Sequence, residues 1–517
     1  MLPSSLFRRK TLDHLIGETI EPHQQLKRTL GPVQLTLLGV GAIIGAGIFS
    51  TVGTAAAGAA AEAGASGHLG AGPALVLSFV LVAIACGFAA LCYSEFASMV
   101  PVSGSAYTYA YATLGELIAW IIGWDLILEY AVGNVAVAIS WSDYFQSLLA
   151  GCSLPWPVWL GTDYRTALQG AHAIAKAKAA GIDPGTLGDL VARGGQAWSE
   201  APRLLGLPIV FNLPAVLIVA LITWVLVRGI RESAGFNSAM VILKLVIIVF
   251  FISVGACYVK PANWTPFAPN GFAGVSSAAA IIFFAYIGFD AVSTAAEETR
   301  NPKRDVPIGI MASLIICTVI YVAVALVLTG MVRWDHFTGV ADPLAKAFSE
   351  RGMNWTAGII SFGAVFATTS VLLVFQLGQP RIFFSMARDG LLPAWAAKVH
   401  PKYRTPHVTT ILTGVFVAVF AAVTNINEVV ELSNIGTLFA FVLVAVGILI
   451  LRRTDPDRPR PFRTPLVPWV PLGAIVCCGY LMVELPLVTW IRFFVWLAIG
   501  LVFYYAYGFR HSRIGLR

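Results

Sequence analysis

Charge is what this sequence most lacks. Only 12% of its 517 residues are Asp, Glu, Lys or Arg, while 57% are hydrophobic; soluble domains carry about 25% charge. A water-exposed globular surface cannot be made from so little. Histidine is missing from the apolar stretches: all 8 histidines fall in loops or tails, which excludes a histidine-based catalytic or metal site inside those stretches. The 7 cysteines follow no metal-ligand spacing. Six of them (Cys86, Cys92, Cys257, Cys317, Cys477 and Cys478) lie in or beside apolar runs and are expected to be small buried side chains. Neither metal nor cofactor is expected. Residues 1–34 lack the uninterrupted apolar core of a signal peptide, so the first apolar run is expected to direct insertion itself.

Long apolar runs are what the chain has instead. About twelve of them, each near the ~20 residues that cross ~30 Å of hydrocarbon, recur from Leu35–Ala57 to Leu487–Phe509. In lipid every backbone polar group must bond within its own segment. The expected fold class is therefore an all-α polytopic membrane protein. With both termini placed in the cytoplasm, inside segments such as Arg8, Arg9, Lys10, Lys27 and Arg28 hold about 23 basic residues and outside segments about ten, which favours that placement. The net charge of +7 then reflects topology and anionic membrane lipid, not nucleic acid. The runs divide the chain into a cytoplasmic segment (1–34), a first five-span unit (35–258), a second (273–451), two further spans (466–509) and a cytoplasmic tail (510–517). A hydrophilic insertion at 151–208 interrupts the first unit on the extracytoplasmic side, and its composition does not declare a function.

The first run contains "GVGAIIGAGIFS", with Gly39, Gly41, Gly45 and Gly47 at its middle. Each glycine weakens a helix interior by roughly 1 kcal/mol relative to alanine. A dinucleotide-binding turn is excluded, because the spacing is wrong and the context is not a strand–turn–helix. Two readings stay open: a packing face built on the Gly41–Gly45 pair, or a span unwound so that its freed backbone groups line a polar cavity. Span 6, "AAAIIFFAYIGFDAVSTAAEE", is interrupted in the same way at Gly288 and Asp290. Interrupted segments at corresponding positions of two halves point to a transporter site on inverted repeats. Free amides at the start of an outer half-helix suit a carboxylate, and free carbonyls at the end of an inner one suit an ammonium. An α-amino acid carries both.

The stretches "LGVGAIIGAGIFS", "FFAYIGFDAVSTAAEETRNPKRDVPIGI" and "GQPRIFFSMARDGLLP" resemble signatures of the amino acid–polyamine–organocation superfamily. Within it, they are similar to bacterial relatives of the cationic amino acid transporters. The likeness runs from before the first span through the twelfth and omits only the insertion. It implies twelve helices in a 5+5 inverted repeat, with helices 1 and 6 discontinuous and two C-terminal helices added. Such a protein works by alternating access across the plasma (bacterial inner) membrane. The resemblance further implies that the substrate carboxylate meets the backbone of Gly45, Ala46 and Gly47. The ammonium would meet carbonyls among Ile43, Ile44, Phe284, Ala285 and Ile287, with Phe284 as a gate over the substrate. Relatives often carry a hydroxyl where this chain has Ala46, so that assistance must come from amides or another span.

Lys244 lies some way into span 5, where an ionisable group is costly and marks function by default; the alternative is snorkelling to the interface. Relatives with a lysine here resemble proton-coupled carriers in which the ammonium replaces a sodium ion against span 1. Asp125 and Glu129, four apart on one face of span 3, could pair with Lys244, relay a proton or recognise a cationic side chain. Thr368 on span 8 offers a hydroxyl to the pocket, although hydroxyls in membrane helices commonly bond their own backbone. Pro302 and Pro307 are expected to end helices. The function expected is secondary transport of an L-amino acid by proton symport. Exchange, sodium coupling and cationic amino acid uptake are its rivals, and a receptor or membrane enzyme is disfavoured because no nucleophile–base constellation appears. A carboxylate matched to Lys244 has no charge left for substrate, so neutral amino acids of small or medium size are favoured. Whether a small membrane-protein subunit joins the carrier is left open.

Overall fold

The computed structural model describes residue 8 and residues 30–59, 67–100, 105–181, 183, 188–228, 234–403 and 405–513. Most of the expected N-terminal segment, including Arg9, Lys10, Lys27 and Arg28, lies outside these residues, as do positions 514–517 of the tail. Among the described residues the fold is helical. Its elements are α1 (Pro32–Ile43), α2 (Val52–Ala57), α3 (Leu75–Met99), α4 (Ser105–Thr113), α5 (Glu116–Gly151), α6 (Tyr164–Ala179), α7 (Asp189–Glu200), α8 (Leu213–Arg228) and α9 (Ala234–Ala256). After these come α10 (Gly271–Ile282), α11 (Ala291–Thr294), α12 (Pro302–Met331), α13 (Pro343–Ser349), α14 (Asn354–Arg388), α15 (His407–Val423), α16 (Ile426–Thr454), α17 (Trp469–Val483) and α18 (Leu487–Phe503). The strands are two antiparallel two-residue pairs, one with Gly58 opposite Leu69 and one with Arg203 opposite Pro208.

Among the described residues eight helices are long and apolar enough to cross a membrane, and the bent pair α1–α2 makes a ninth. Three more apolar helices (α8, α15 and α17) hold 16, 17 and 15 residues, which at ~1.5 Å per residue falls short of ~30 Å of hydrocarbon. Large apolar side chains stand exposed at helical spacing, as with Ile242, Val246 and Val249 on α9 or Ile315 and Val319 on α12. Stripes of this kind around a bundle are a surface for lipid, since in water they would drive association. The core axis is α5. Its most apolar window is 89% buried, against 22% for the last span, and it packs along α14 and α16. Glycines permit the closest approaches elsewhere: at the crossing of α6 and α7, a Cβ on Gly194 would fall 2.3 Å from the Thr166 carbonyl.

Two expectations need correction. Pro302 starts a helix rather than ending one, at the first position of α12, where a missing N–H has no intrahelical use, and Pro307 lies inside that helix without ending it. Of the six cysteines expected to be buried, Cys257 is exposed and Cys477 half-buried, because Cys257 falls just past the end of α9.

Candidate functional site: two crossed helix breaks

α1 ends at Ile43, and Ile44 leaves the helix with φ −76° and ψ 102°. The chain resumes as a wide turn, Gly47–Thr51, that feeds α2; the two arms are bent by 42°. A second break follows α10. There a tight turn at Phe283–Tyr286 passes into an extended Ile287 and then Gly288 at φ 119°, a conformation open to glycine. The breaks touch. A Cβ on Gly288 would lie 2.9 Å from the Ala42 carbonyl oxygen, and one on Gly47 would lie 2.3 Å from Ala285 Cα. The other glycines of the motif face different neighbours: Gly39 meets Ser313 on α12, Gly41 meets Val241 on α9 and Gly45 meets Val371 on α14. Gly41 and Gly45 are therefore not one shared packing face.

The backbone groups freed by the first break fall into two sets. Neither the Gly45 nor the Ala46 amide donates to any acceptor among the described residues, while the Gly45 carbonyl accepts from Ile48 and Phe49 at 3.2 and 3.3 Å. Unpaired N–H groups at the start of a helical arm make a site for an anion. The carbonyls at the end of α1 are engaged. Lys244 Nζ donates to Gly41 O at 2.8 Å and Ile44 O at 3.1 Å. The Tyr321 hydroxyl, from α12, lies 3.0 Å from Ile43 O and 2.9 Å from Ala285 O. With one proton to give, that hydroxyl spans both breaks while satisfying one carbonyl at a time.

Lys244 is 1% exposed, so it does not snorkel. Its ammonium sits where a helix C-terminus carries orphan carbonyls and negative partial charge. The structure does not bring the span 3 carboxylates to it: no ion pair joins Lys244 to Asp125 or Glu129 among the described residues, and its bonds are to carbonyls. Asp125 is packed against Gly436 of α16, and neither of its carboxylate oxygens has a partner. Glu129 lines a small cavity beside the second break with Tyr130, Ile287, Gly288, Asp290 and Phe375. Asp290 precedes α11 without a side-chain capping bond. Phe284 is 5% exposed in the tight turn. Thr368 donates its hydroxyl to Ala364 O at 2.7 Å, so it serves its own helix. Tyr321 was not among the expected residues; the signal available was a lone phenol inside an aliphatic helix, which when buried must find a hydrogen-bond partner.

Comparison with known proteins adds the relationship. The family described as amino acid permease matches residues 30–504. The chain is 48% identical to the branched-chain amino acid permease BcaP of Bacillus subtilis (strain 168), over 99% of this chain and 100% of that one. It is 45% identical to the methylthioribose transporter of the same organism, over 99% of each chain. It is 36% identical to the vacuolar cationic amino acid transporter 4 of Arabidopsis thaliana, over 88% of this chain and 68% of the relative.

Proposed function

Because this chain belongs to the amino acid permease family, within the amino acid–polyamine–organocation superfamily, we propose that it is a proton-coupled secondary transporter of neutral L-amino acids. The observation that carries the reading is the pair of unpaired amides at Gly45 and Ala46, set beside a crossing of two broken helices. They supply donors for a carboxylate without any cationic side chain, at a point where Phe284 can close over the bound molecule. Alternating access would then turn the two arms of each broken helix about this crossing, as 5+5 inverted repeats with two further helices. Both termini face the cytoplasm in this reading, and the end of the bundle carrying residues 151–208 faces outward.

Proton coupling is supported by the tethered ammonium of Lys244. A cation on the Gly41 and Ile44 carbonyls occupies the place where a metal cation could neutralise the end of α1, and it can change its charge only by losing a proton. Glu129 and Asp125 are then further groups on the proton route. The high identity to a branched-chain amino acid permease over the whole chain supports a neutral apolar substrate. A second reading, uptake of a cationic amino acid, is favoured by one observation: Glu129 and Asp290 share a cavity beside the break, with no cation paired to either among the described residues.

Uptake into proteoliposomes tests both. Leucine, alanine and arginine are supplied with and without a pH gradient. Accumulation of leucine or alanine driven by an inward proton gradient is expected, with weak competition from arginine. Accumulation that follows sodium and ignores pH would overturn the coupling, and arginine competing as well as alanine would favour the second reading. Lys244→Ala is expected to lose gradient-driven accumulation more severely than equilibrium binding.

A further inference from the structure

Described residues of the insertion, from Gly161 to Arg193, build one wall of a cavity on its end of the bundle. That cavity has a volume of about 150 Å3 and lies directly beyond the first break. Its floor is Ser50, Thr51 and Thr54, the turns that follow Gly47, and its roof is α6 and α7. Two short bonds tie the turn after the break to α5: Ser50 Oγ to Ser140 Oγ at 2.6 Å, and Tyr144 Oη donating to Phe49 O at 2.5 Å. The roof is fastened to the bundle. Arg193 on α7 donates to Asp143 at 3.0 Å and Gln146 at 2.9 Å on α5. Asn425, ahead of α16, donates to Thr166 of α6 at 2.8 Å, and Arg165 pairs with Glu428 at 2.9 Å.

Most charges on the cavity wall are thus paired, and two groups stand out. Asp163, Thr166 and Gln169 recur every third residue and so share one face of α6, the face that lines the cavity. Asp163 is 6% exposed. It caps α6 by accepting the Thr166 amide at 2.8 Å, and no cation lies within ion-pair distance of it among the described residues. Burial pushes its carboxyl up to about 6, against the opposing pull of the Thr166 hydrogen bonds and of the Arg193 guanidinium, which is itself paired with Asp143. Gln169 Nε2 is fully buried and has no acceptor. A carboxylate without a cation and an amide without an acceptor, on one helix face over a cavity, ask for a ligand with an ammonium and a carboxylate of its own.

We propose that this cavity is a second amino-acid station, in which Asp163 receives the ammonium and Gln169 the carboxylate of a solute waiting outside the break. The insertion is then a binding element, and its fastening by Arg193, Arg165 and Asn425 holds α6 in register over the route. The proposal rests on the amino-acid transport reading, and the test separates the two.

Radiolabelled leucine, alanine and arginine are titrated onto the full-length protein in lipid nanodiscs. At saturation, two molecules of at least one amino acid should bind per chain. Asp163→Asn keeps the helix cap, because Asn caps as well as Asp, and removes the charge; it should reduce the count to one. Gln169→Leu, a change on the roof outside the spans, should do the same. A wild-type count of one, or a count of two that survives both substitutions, would overturn the station and leave the transport reading intact. Binding of none of the three amino acids would overturn both.

Discussion

The glycines of the first break differ in what surrounds them, and that difference predicts opposite outcomes for similar substitutions. At Gly47 an added Cβ would meet the Ala285 backbone at 2.3 Å, whereas at Gly45 it would meet the end of the Val371 side chain at 2.9 Å. A buried valine methyl must give by a few tenths of an ångström, whereas two backbones must part. Gly45→Ala is therefore expected to fold, monodisperse in detergent and with a modestly lowered melting temperature. It should weaken amino-acid binding about tenfold, or ~1.4 kcal/mol, because its methyl crowds the free amides. Gly47→Ala should fail earlier, with lowered yield and melting temperature, because the two backbones must part. Equal behaviour of the two variants would refute the distinction. At this scale the glycines and Lys244 were legible in the sequence, since a flexible residue or a charge in an apolar run is anomalous wherever it points. Which carbonyl each group meets was not legible, because that depends on helices far away in the chain. Pairing of Lys244 with Asp125 or Glu129 was one of three roles open to those carboxylates, and the structure gives the ammonium backbone partners instead.

Between elements, the Tyr321 hydroxyl joins the end of α1 to the turn after α10, an arrangement that no local pattern announces. Its ring is buried against Phe79 and Tyr286 at centroid distances of 5.4 and 5.5 Å, so the phenol cannot swing away to another acceptor. Tyr321→Phe keeps the ring and deletes the bridge, leaving Ile43 O and Ala285 O without it. A net hydrogen bond is worth ~1 kcal/mol and an orphaned buried acceptor ~1–3 kcal/mol, so the melting temperature in detergent should fall measurably. The rate of transport should change with it, since the two breaks would no longer be tied; a variant indistinguishable from wild type in both would show that the bridge carries nothing. The breaks themselves were readable as interruptions of apolar runs. Their meeting was not, because sequence shows that Gly288 and Gly47 are small but not that each sits against the backbone of the other broken helix. The insertion illustrates the same limit: its place on the bundle depends on Arg193 meeting Asp143 and Gln146 on α5, and on Arg165 and Thr166 meeting Glu428 and Asn425 at the start of α16.

Across the whole molecule, α5 is enclosed by neighbours while α1 runs along the bundle from the crossing toward Pro32, beyond which Leu30 is paired with the stretch after the second break, its amide on Glu298 O at 3.0 Å and its carbonyl on the Arg300 amide at 2.9 Å. Spin labels at Val33 on α1 and Leu412 on α15, both exposed, should report a distance distribution that shifts when a transported amino acid is added. An unchanged distribution under turnover would place the motion elsewhere. The membrane class was legible from composition, because lipid imposes length and apolarity on every span alike. The shortness of α8, α15 and α17 was hidden, since an apolar run does not reveal where its helix stops. The crossing has a mechanical consequence. The side-chain atoms nearest Gly47 and Gly288 at the contact are the methyls of Ala285 and Ala42, too short to interlock, so the two chains can swivel about it. α1 is then a lever of 12 residues on a pin, ~18 Å long at ~1.5 Å per residue. A swing of roughly 10° about the pin would carry its far tip about 3 Å, the width of a water molecule, while the atoms at the crossing hardly move.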